Sequence, residues 1–264
     1  MPPVPAAIPP VLCYHKVERR RELGVTRLSP ARFARQVESL ASAGWRGISL
    51  AEFAACVDGR REAGRRDLLI TFDDAYRGLR DHAFPVLRDV GFAAACFVIT
   101  EFAGRLNRWD VAYGGRRFAH LAWRDIERWR DRGIDFGSHT ATHPRLPWID
   151  GARLARELAR SRAALAAALG TPPVAIAYPF GAAGPRETSA AADVGYTLGF
   201  GVHGRWTGDP LRVPRTPVHC WSARRPGVGP LRAVEAAVSA VAARCAVGTS
   251  VWRRLTRPPL DVIR

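Results

Sequence analysis

The most informative stretch of this sequence is Asp67-Leu68-Leu69-Ile70-Thr71-Phe72-Asp73-Asp74-Ala75-Tyr76. Its apolar run, residues 68–72, predicts a buried strand that stops at two adjacent carboxylates. Where a strand ends the chain turns, so neighbouring side chains can both reach one pocket. Because two carboxylates this close repel each other, a cation, a proton or strong donors must hold them. Taken alone, the pair is also explained as a turn that caps a helix starting near Tyr76.

A second polar segment, Ser138-His139-Thr140-Ala141-Thr142-His143-Pro144, lies further along the chain. His139 and His143 are four residues apart, a spacing that places two imidazoles on one face of a helical turn. One carboxylate and two imidazoles form a three-ligand metal site with an open position for water, the catalytic rather than the structural pattern. The two segments together therefore predict a catalytic metal site.

The composition of the chain limits the possible fold classes and binding partners. The chain has 264 residues, 47% of them hydrophobic, which suits a single α/β barrel with a sizeable core and excludes intrinsic disorder. The formal net charge is +16, and nearly all of the positive charge is arginine, since Lys16 is the only lysine. This charge is scattered rather than striped, so no nucleic-acid partner is expected. An anionic membrane surface or an acidic saccharide remains compatible.

The cysteines and the N-terminus bear on the cellular compartment. The five cysteines are widely spaced, form no Cys-x-x-Cys pair, and three of them lie in apolar strand-like runs, which indicates free thiols rather than a disulfide framework or a thiolate metal site. The proline-rich residues 1–10 do not form an ordinary signal peptide, and no apolar run is long enough to predict a transmembrane helix. We therefore expect a cytoplasmic protein.

Along the chain, short apolar runs alternate with helical patterns, which is typical of βα units. Ser29 and Ser49 are predicted helix N-caps, and a helix is predicted from Tyr76 to Val90 with a kink at Pro85. The chemical groups follow predicted strands, and in parallel barrels such strand ends meet on one face. These groups are His15, Asp73 and Asp74, the pair His139 and His143, Phe180 and Gly181, and His219.

Three motifs in order resemble the polysaccharide deacetylase family, the NodB-homology enzymes of carbohydrate esterase family 4. They are Thr71-Phe72-Asp73-Asp74-Ala75-Tyr76, Ser138-His139-Thr140-Ala141-Thr142-His143 and Tyr178-Pro179-Phe180-Gly181. The resemblance covers about 11–219 and implies a distorted (β/α) barrel of about seven parallel strands. Tyr14-His15, Asn107-Arg108-Trp109-Asp110 and Arg212-Val213-Pro214-Arg215 are similar to the branch that includes the biofilm poly-N-acetylglucosamine deacetylases.

The resemblance also implies roles. Asp74, His139 and His143 would hold one divalent metal ion, most often zinc in this family, and Asp73 would be the general base. The backbone N–H of Phe180 would stabilise the oxyanion formed when water attacks an N-acetyl carbonyl. The implied activity is metal-dependent removal of N-acetyl groups from amino sugars in a saccharide or glycoconjugate. The alternative is a catalytically inactive barrel that binds carbohydrate or a membrane surface.

The sequence departs from the family pattern in two catalytic groups, the arginine that orients the base and the general acid. Ala177 stands where the family places an arginine that orients the base, so Arg215 or Arg212 is the expected replacement from another strand. The usual general-acid motif is not recognisable, and His219 is the nearest candidate by position. It is also explained as a structural histidine at a strand end.

Four further residues are candidates for binding the substrate: His15, Trp109, Asp110 and Tyr178. His15 is equally compatible with a structural role. Trp109 could stack on a sugar ring or pack beneath a long loop. The histidines without motif support, His82, His120 and His203, are expected on the surface or in loops.

The chain is divided into a deacetylase barrel, 1–222, and a C-terminal amphipathic helix with a basic tail, 223–264. The helix, about 230–255, is expected to pack on the barrel. Only the tail from about Trp252 is left for a weak contact with an anionic membrane. Such a contact would make the protein peripheral to the membrane and would suit a lipid-linked amino-sugar substrate.

Overall fold

The computed structural model describes residues 7–22, 24–109, 116–201, 204–226 and 228. The strands are Val11–Tyr14 (β1), Lys16–Val17 (β2), Arg27–Leu28 (β3), Arg46–Gly47 (β4), Asp67–Phe72 (β5), Ala94–Val98 (β6), Ile134–Ser138 (β7), Ala175–Ala177 (β8), Leu198–Phe200 (β9) and Thr216–Pro217 (β10). The α-helices are Pro30–Ser42 (α1), Leu50–Val57 (α2), Phe84–Asp89 (α3), Trp123–Arg130 (α4), Gly151–Leu169 (α5) and Pro185–Val194 (α6).

The main sheet is parallel, with the strand order β10-β1-β5-β6-β7-β8-β9 and with β4 paired to β5 beside this path. Val213 forms a parallel bridge with Phe200 in β9, and β10 pairs with β1 a few residues later. The segment 213–217 therefore bonds to both edges of the sheet and brings them together. The predicted distorted barrel of seven principal parallel strands is confirmed.

Side chains that point alternately to the two faces of the strands form an inner core and an outer core. Leu69 of β5 belongs to an inner apolar cluster with Phe97 and Phe200, and Phe53 of α2 also lies in this cluster. The neighbouring residues of β5, including Ile70, pack outward against α1, α3 and α4. Side chains on a strand alternate between faces, so positions 69, 71 and 73 follow one another along the inner face. This alternation places Asp73 at the end of the inner row.

The helices begin where the sequence predicts. Ser29 accepts a hydrogen bond from the Arg32 amide, with Pro30 as the first helical residue of α1. Ser49 and Glu52 form a reciprocal capping box at the start of α2. Both caps satisfy amides that the first turn of a helix leaves unpaired.

The predicted helix from Tyr76 to Val90, with a kink at Pro85, is found as two successive helical segments that begin only at Leu79. Residues Leu79–Ala83 form a π-helical turn, and α3 follows with Pro85 in its first turn. Proline has no amide hydrogen and its ring clashes with the preceding turn, so the chain widens before Pro85 instead of continuing as a regular helix.

The remaining expectations concern the cysteines, the C-terminal segment and membrane-spanning helices. The four cysteines within the described residues carry free thiols, as predicted. The predicted C-terminal helix and tail, Asp110 and His203 lie outside the described residues. None of the helices in the described part of the chain is long and apolar enough to span a bilayer.

Candidate metal and catalytic site

Asp73 and Asp74 reach the same site because the backbone turns sharply between them. Asp73 continues the inner row of β5, and its amide donates to the Tyr14 carbonyl of β1 at 2.9 Å. Asp74 and Ala75 have positive φ values of 68° and 53°. Such left-handed conformations are costly for residues other than glycine and are found mostly at functional sites. This turn keeps Asp74 inside, although simple alternation would point it outward.

Arg215 holds Asp73 with a two-pronged ion pair. Its Nη1 and Nη2 donate to Oδ1 and Oδ2 of Asp73, each at 2.7 Å. Its Nε donates to the Gly201 carbonyl at 2.9 Å, and Nη1 also donates to the Thr71 hydroxyl at 3.2 Å. Both charged residues are only 3% exposed. Of the two arginines considered as replacements for the family's usual one, Arg215 is at the carboxylate, whereas Arg212 is exposed.

The ion pair determines the protonation state of Asp73. Burial alone would raise the pKa of this carboxyl, but the charge and hydrogen bonds of Arg215, together with the nearby His139 and His15, outweigh burial and hold the pKa well below its ordinary value. The Cys13 thiol donates to Oδ2 of Asp73 at 3.4 Å. Cys13, His15 and Asp73 lie close enough to bind a cation together. The positive charge of the Arg215 guanidinium beside Asp73 disfavours a second cation at this group.

Asp74, His139 and His143 form a second, separate group of metal-binding atoms. Oδ1 of Asp74 lies 3.5 Å from Nε2 of His139 and 3.6 Å from Nε2 of His143. The three side chains are buried, and their ligand atoms all lie within 4.8 Å of one another. A tetrahedral zinc with bonds of ~2.0–2.1 Å separates its ligand atoms by about 3.4 Å. The spacing and the donor types therefore fit zinc.

The environment of His139 supports this fit. Its Nδ1 donates to the Ala177 carbonyl at 2.7 Å, which leaves the Nε2 lone pair directed toward Asp74. Burial lowers the pKa of His139, so the imidazole is kept in the neutral form that a metal requires. Ala177, where the family has an arginine, thus contributes its backbone oxygen to the site.

The expectation that the two histidines share a helical turn is wrong. Residues 139–143, which we call the histidine loop, have no regular secondary structure, and Thr140 and His143 have φ values of 66° and 59°. Glu157 of α5 accepts hydrogen bonds from the amides of Ala141 and Thr142, at 3.0 and 2.8 Å, and from the Thr142 hydroxyl at 2.5 Å. A buried carboxylate on a neighbouring helix therefore fixes the loop.

Trp109 contacts the candidate metal ligand His143 and is not available to a sugar ring. It is 3% exposed, and its ring centroid lies 4.0 Å from that of His143. Its Nε1 donates to Nε2 of His120 at 3.1 Å, and Nδ1 of His120 lies 2.6 Å from the Asp74 carbonyl oxygen. The expectation that His120 is a surface or loop histidine is wrong, because it is 2% exposed and contacts the site.

The Tyr178-Pro179-Phe180-Gly181 motif directs its two aromatic rings differently. Phe180 has φ 61°, and its ring centroid lies 4.8 Å from that of His143. Tyr178 follows β8 at an outward position and packs in the outer cluster that includes Leu158 and Tyr196. Tyr178 was predicted to contact the substrate, but its side chain lies in the outer core. The reason is that Tyr178 is two residues after Ile176 and therefore on the same outward face.

Two predicted histidines lie near each other, and one of them, His15, lies close to Asp73. Burial lowers the pKa of His15 to about 4, and the side chain interacts electrostatically with Asp73, His139 and His219. His219 is buried, and its amide donates to the Ser222 hydroxyl at 3.0 Å. Its ring stacks on Trp221 with centroids 4.8 Å apart, and Trp221 is 41% exposed.

His120 and Trp221 are the residues that sequence reasoning missed. Neither lies in a motif. His120 is placed at the site by its contact with the distant Asp74, and Trp221 by a turn of the chain that stacks it on His219. Trp221 could have been found from its position two residues after His219. No local pattern in the sequence indicates that His120 contacts Asp74.

Comparisons with known proteins agree with this geometry. The family model of polysaccharide deacetylases matches residues 60–199, more than half of the chain. A putative polysaccharide deacetylase of Bacillus subtilis, YxkH, is 25% identical over 190 residues, which cover 72% of this chain and 63% of that protein. The chain thus matches less than two thirds of this relative's length.

Two solved structures have the same architecture. IcaB from Ammonifex degensii is 28% identical with a TM-score of 0.68, covering 79% of this chain and 91% of its own. The Streptococcus pyogenes deacetylase PplD, solved with acetate, is 21% identical with a TM-score of 0.74, covering 83% of this chain and 96% of its own, a likeness of fold. The family match, together with the shared fold, leads to one conclusion: this chain belongs to the polysaccharide deacetylase family.

Proposed function

We propose that this chain is a metal-dependent N-deacetylase that removes acetyl groups from N-acetylated amino sugars in a saccharide or glycoconjugate. One observation carries the proposal: Asp73, held by Arg215, directly precedes Asp74 of the buried Asp74–His139–His143 group. A barrel that only binds carbohydrate has no need of an arginine-held carboxylate beside a metal site. The combination is therefore best explained by catalysis.

Asp74, His139 and His143 are the proposed metal ligands, and Asp73 is the proposed base. A divalent ion, zinc by the donor set, would supply Lewis-acid polarisation of the acetyl carbonyl and acidify a bound water. Asp73 accepts the proton of the attacking water on a carboxylate oxygen. Arg215 keeps Asp73 ionised and fixes its orientation, because both guanidinium prongs are engaged.

The backbone amide of Phe180 is the proposed donor to the developing oxyanion. The turn that carries it is held by the Gly181 amide donating to the Tyr178 carbonyl at 2.8 Å and the Ala182 amide donating to the Pro179 carbonyl at 3.1 Å. A donor held in this way needs no reorganisation during the reaction. Its loss would cost about 3–4 kcal/mol of transition-state stabilisation.

The leaving amine needs a proton, and His219 is the proposed donor. The pKa of His15, lowered to about 4 by burial, leaves His15 neutral at pH 7 and less suited to this role. His15 is instead proposed as a wall of the pocket. Because Trp109 is buried against His143, the exposed Trp221 beside His219 is the better candidate to stack on a sugar ring.

The direct test is acetate release from short N-acetylglucosamine oligomers by the zinc-loaded protein. We expect release that a chelator abolishes and that added zinc restores. His139→Ala should lower zinc content well below one ion per chain. Asp73→Asn should keep the zinc but lose turnover, because an amide cannot accept the proton.

Three results would contradict the proposal in different ways. Full zinc occupancy in His139→Ala would refute the ligand assignment, and an active Asp73→Asn variant would refute the base. Oligomer binding without acetate release by the zinc-loaded wild type would favour the carbohydrate-binding barrel.

A further inference from the structure

We infer that His120 is a positioning residue that links the proposed metal ligands Asp74 and His143 through Trp109, and so sets the affinity of the site for zinc. The inference rests on the metal site proposed above. It assigns a role to a residue outside all motifs of the sequence.

The contacts form a continuous path between the two ligands. His120 lies 2.6 Å from the Asp74 carbonyl oxygen through Nδ1, and 3.1 Å from Nε1 of Trp109 through Nε2. The Trp109 ring then packs on His143 with centroids 4.0 Å apart. His120 therefore contacts the backbone of one ligand directly and the ring of the other through the indole.

The two partners of His120 allow only one protonation state. The Asp74 carbonyl can only accept, so Nδ1 must carry a proton, and the Trp109 indole can only donate, so Nε2 must present a lone pair. Both hydrogen bonds are satisfied by a neutral imidazole protonated on Nδ1. A charged imidazolium would lose the bond from Trp109. The neutral His120 therefore holds the Asp74 backbone and the Trp109 indole at a fixed distance from each other.

The surroundings hold His120 in place. The Tyr76 ring stacks on the imidazole with centroids 4.8 Å apart and an angle of 20° between the planes. The backbone beside His120 pairs with the segment that follows Asp74: Leu121 donates to the Ala75 carbonyl, and Arg77 donates to the Ala119 carbonyl, each at 2.8 Å. The turn with positive φ at Asp74 is thus fixed by both the backbone and the side chain of the His120 segment.

The size of the expected effect follows from other metal sites. Changing a residue that orients a ligand typically reduces metal affinity 10- to 100-fold. Without His120, the Asp74 carbonyl loses a donor, and the indole N–H loses its acceptor. Both ligands can then move away from the arrangement that places Oδ1 of Asp74 3.5–3.6 Å from the two Nε2 atoms.

The experiment measures zinc dissociation constants by competition with a chromophoric chelator, using the full chain. The variants are His120→Ala, Trp109→Phe, which keeps a ring over His143 but loses the N–H, and the double variant. His120→Asn keeps a side-chain amide able to donate to the Asp74 carbonyl. The control is Asp135→Ala, which removes the hydrogen bond to the Leu50 amide, 2.7 Å long, near the opposite end of β7.

We expect His120→Ala to bind zinc 10- to 100-fold more weakly, with His120→Asn intermediate and Trp109→Phe weakened several-fold. The two single changes should be non-additive in the double variant, because they remove the same bond. Asp135→Ala should lose stability while its zinc affinity stays at the wild-type value.

A His120→Ala protein with a zinc dissociation constant within twofold of wild type would overturn the inference while leaving the metal site intact. Should His120→Ala not fold, Trp109→Phe and His120→Asn decide, and unchanged affinity in both would overturn it. If the wild type itself binds no zinc, the proposed metal site and the inference both fail.

Discussion

Replacing Arg215 by alanine would leave the Asp73 carboxylate buried without its countercharge. Both residues are 3% exposed, and two hydrogen bonds of 2.7 Å join their side chains. Removing one partner of such a buried pair costs about 3–5 kcal/mol of unfolding free energy. For a chain of this size, that loss corresponds to a melting temperature lower by about 6–20 °C.

The pH dependence gives a sharper prediction than stability alone. In the wild type, Arg215 holds the pKa of Asp73 below its ordinary value, so the base stays ionised as the pH falls through the unfolded-state value of ~3.9. In the variant Arg215 no longer opposes burial, which raises the pKa of Asp73. The acid limb of kcat/KM should therefore move upward by about 1–3 pH units. The loss of stability should also shrink on acidification, because protonation removes the buried charge.

The assay is acetate release by zinc-loaded protein across the pH range, with zinc content and thermal unfolding measured on the same samples. The matched control is Arg212→Ala in the same Arg-Val-Pro-Arg segment, because Arg212 is exposed. The control should keep the wild-type profile. An unshifted acid limb in Arg215→Ala with full zinc would show that Arg215 does not tune the base.

Two further predictions concern the support of the site. Glu157→Ala should leave the two bonded amides of the histidine loop unpaired, at a cost of about 1–3 kcal/mol of unfolding free energy each, and should weaken zinc binding. The control Glu157→Gln keeps an acceptor oxygen for these amides and should be affected less. Wild-type zinc affinity in the alanine variant would refute this support. Gly137→Ala should destabilise the barrel by about 1–3 kcal/mol, because a Cβ there would meet the Phe97 ring at 2.6 Å. The control Gly151→Ala should be tolerated, because a Cβ at that position has open space around it. Equal melting temperatures for the two variants would contradict this prediction.

Much of the barrel was predictable because its strands are short, apolar and separated by helical patterns. The run 68–72 lies within β5, Asp67–Phe72, and the caps Ser29 and Ser49 begin α1 and α2 as expected. These signals are local, since side-chain hydrogen bonds at a cap involve residues only three apart. Pro85 predicts a kink in the helix that contains it, but the form of the break was not predictable, because a π-helical turn has no simple sequence pattern.

The sequence by itself determined the candidate donor set: a carboxylate pair at the end of a strand and two histidines four apart, residue types that together favour a metal site. Only the tertiary structure decided how these groups are held. Arg215 meets Asp73 across 142 residues because segment 213–217 bonds to both edges of the sheet. His120 reaches Asp74 because its backbone pairs with the turn that follows the aspartates. Such contacts depend on which strands and loops become neighbours, and that is fixed by packing and closure of the whole barrel rather than by any local pattern.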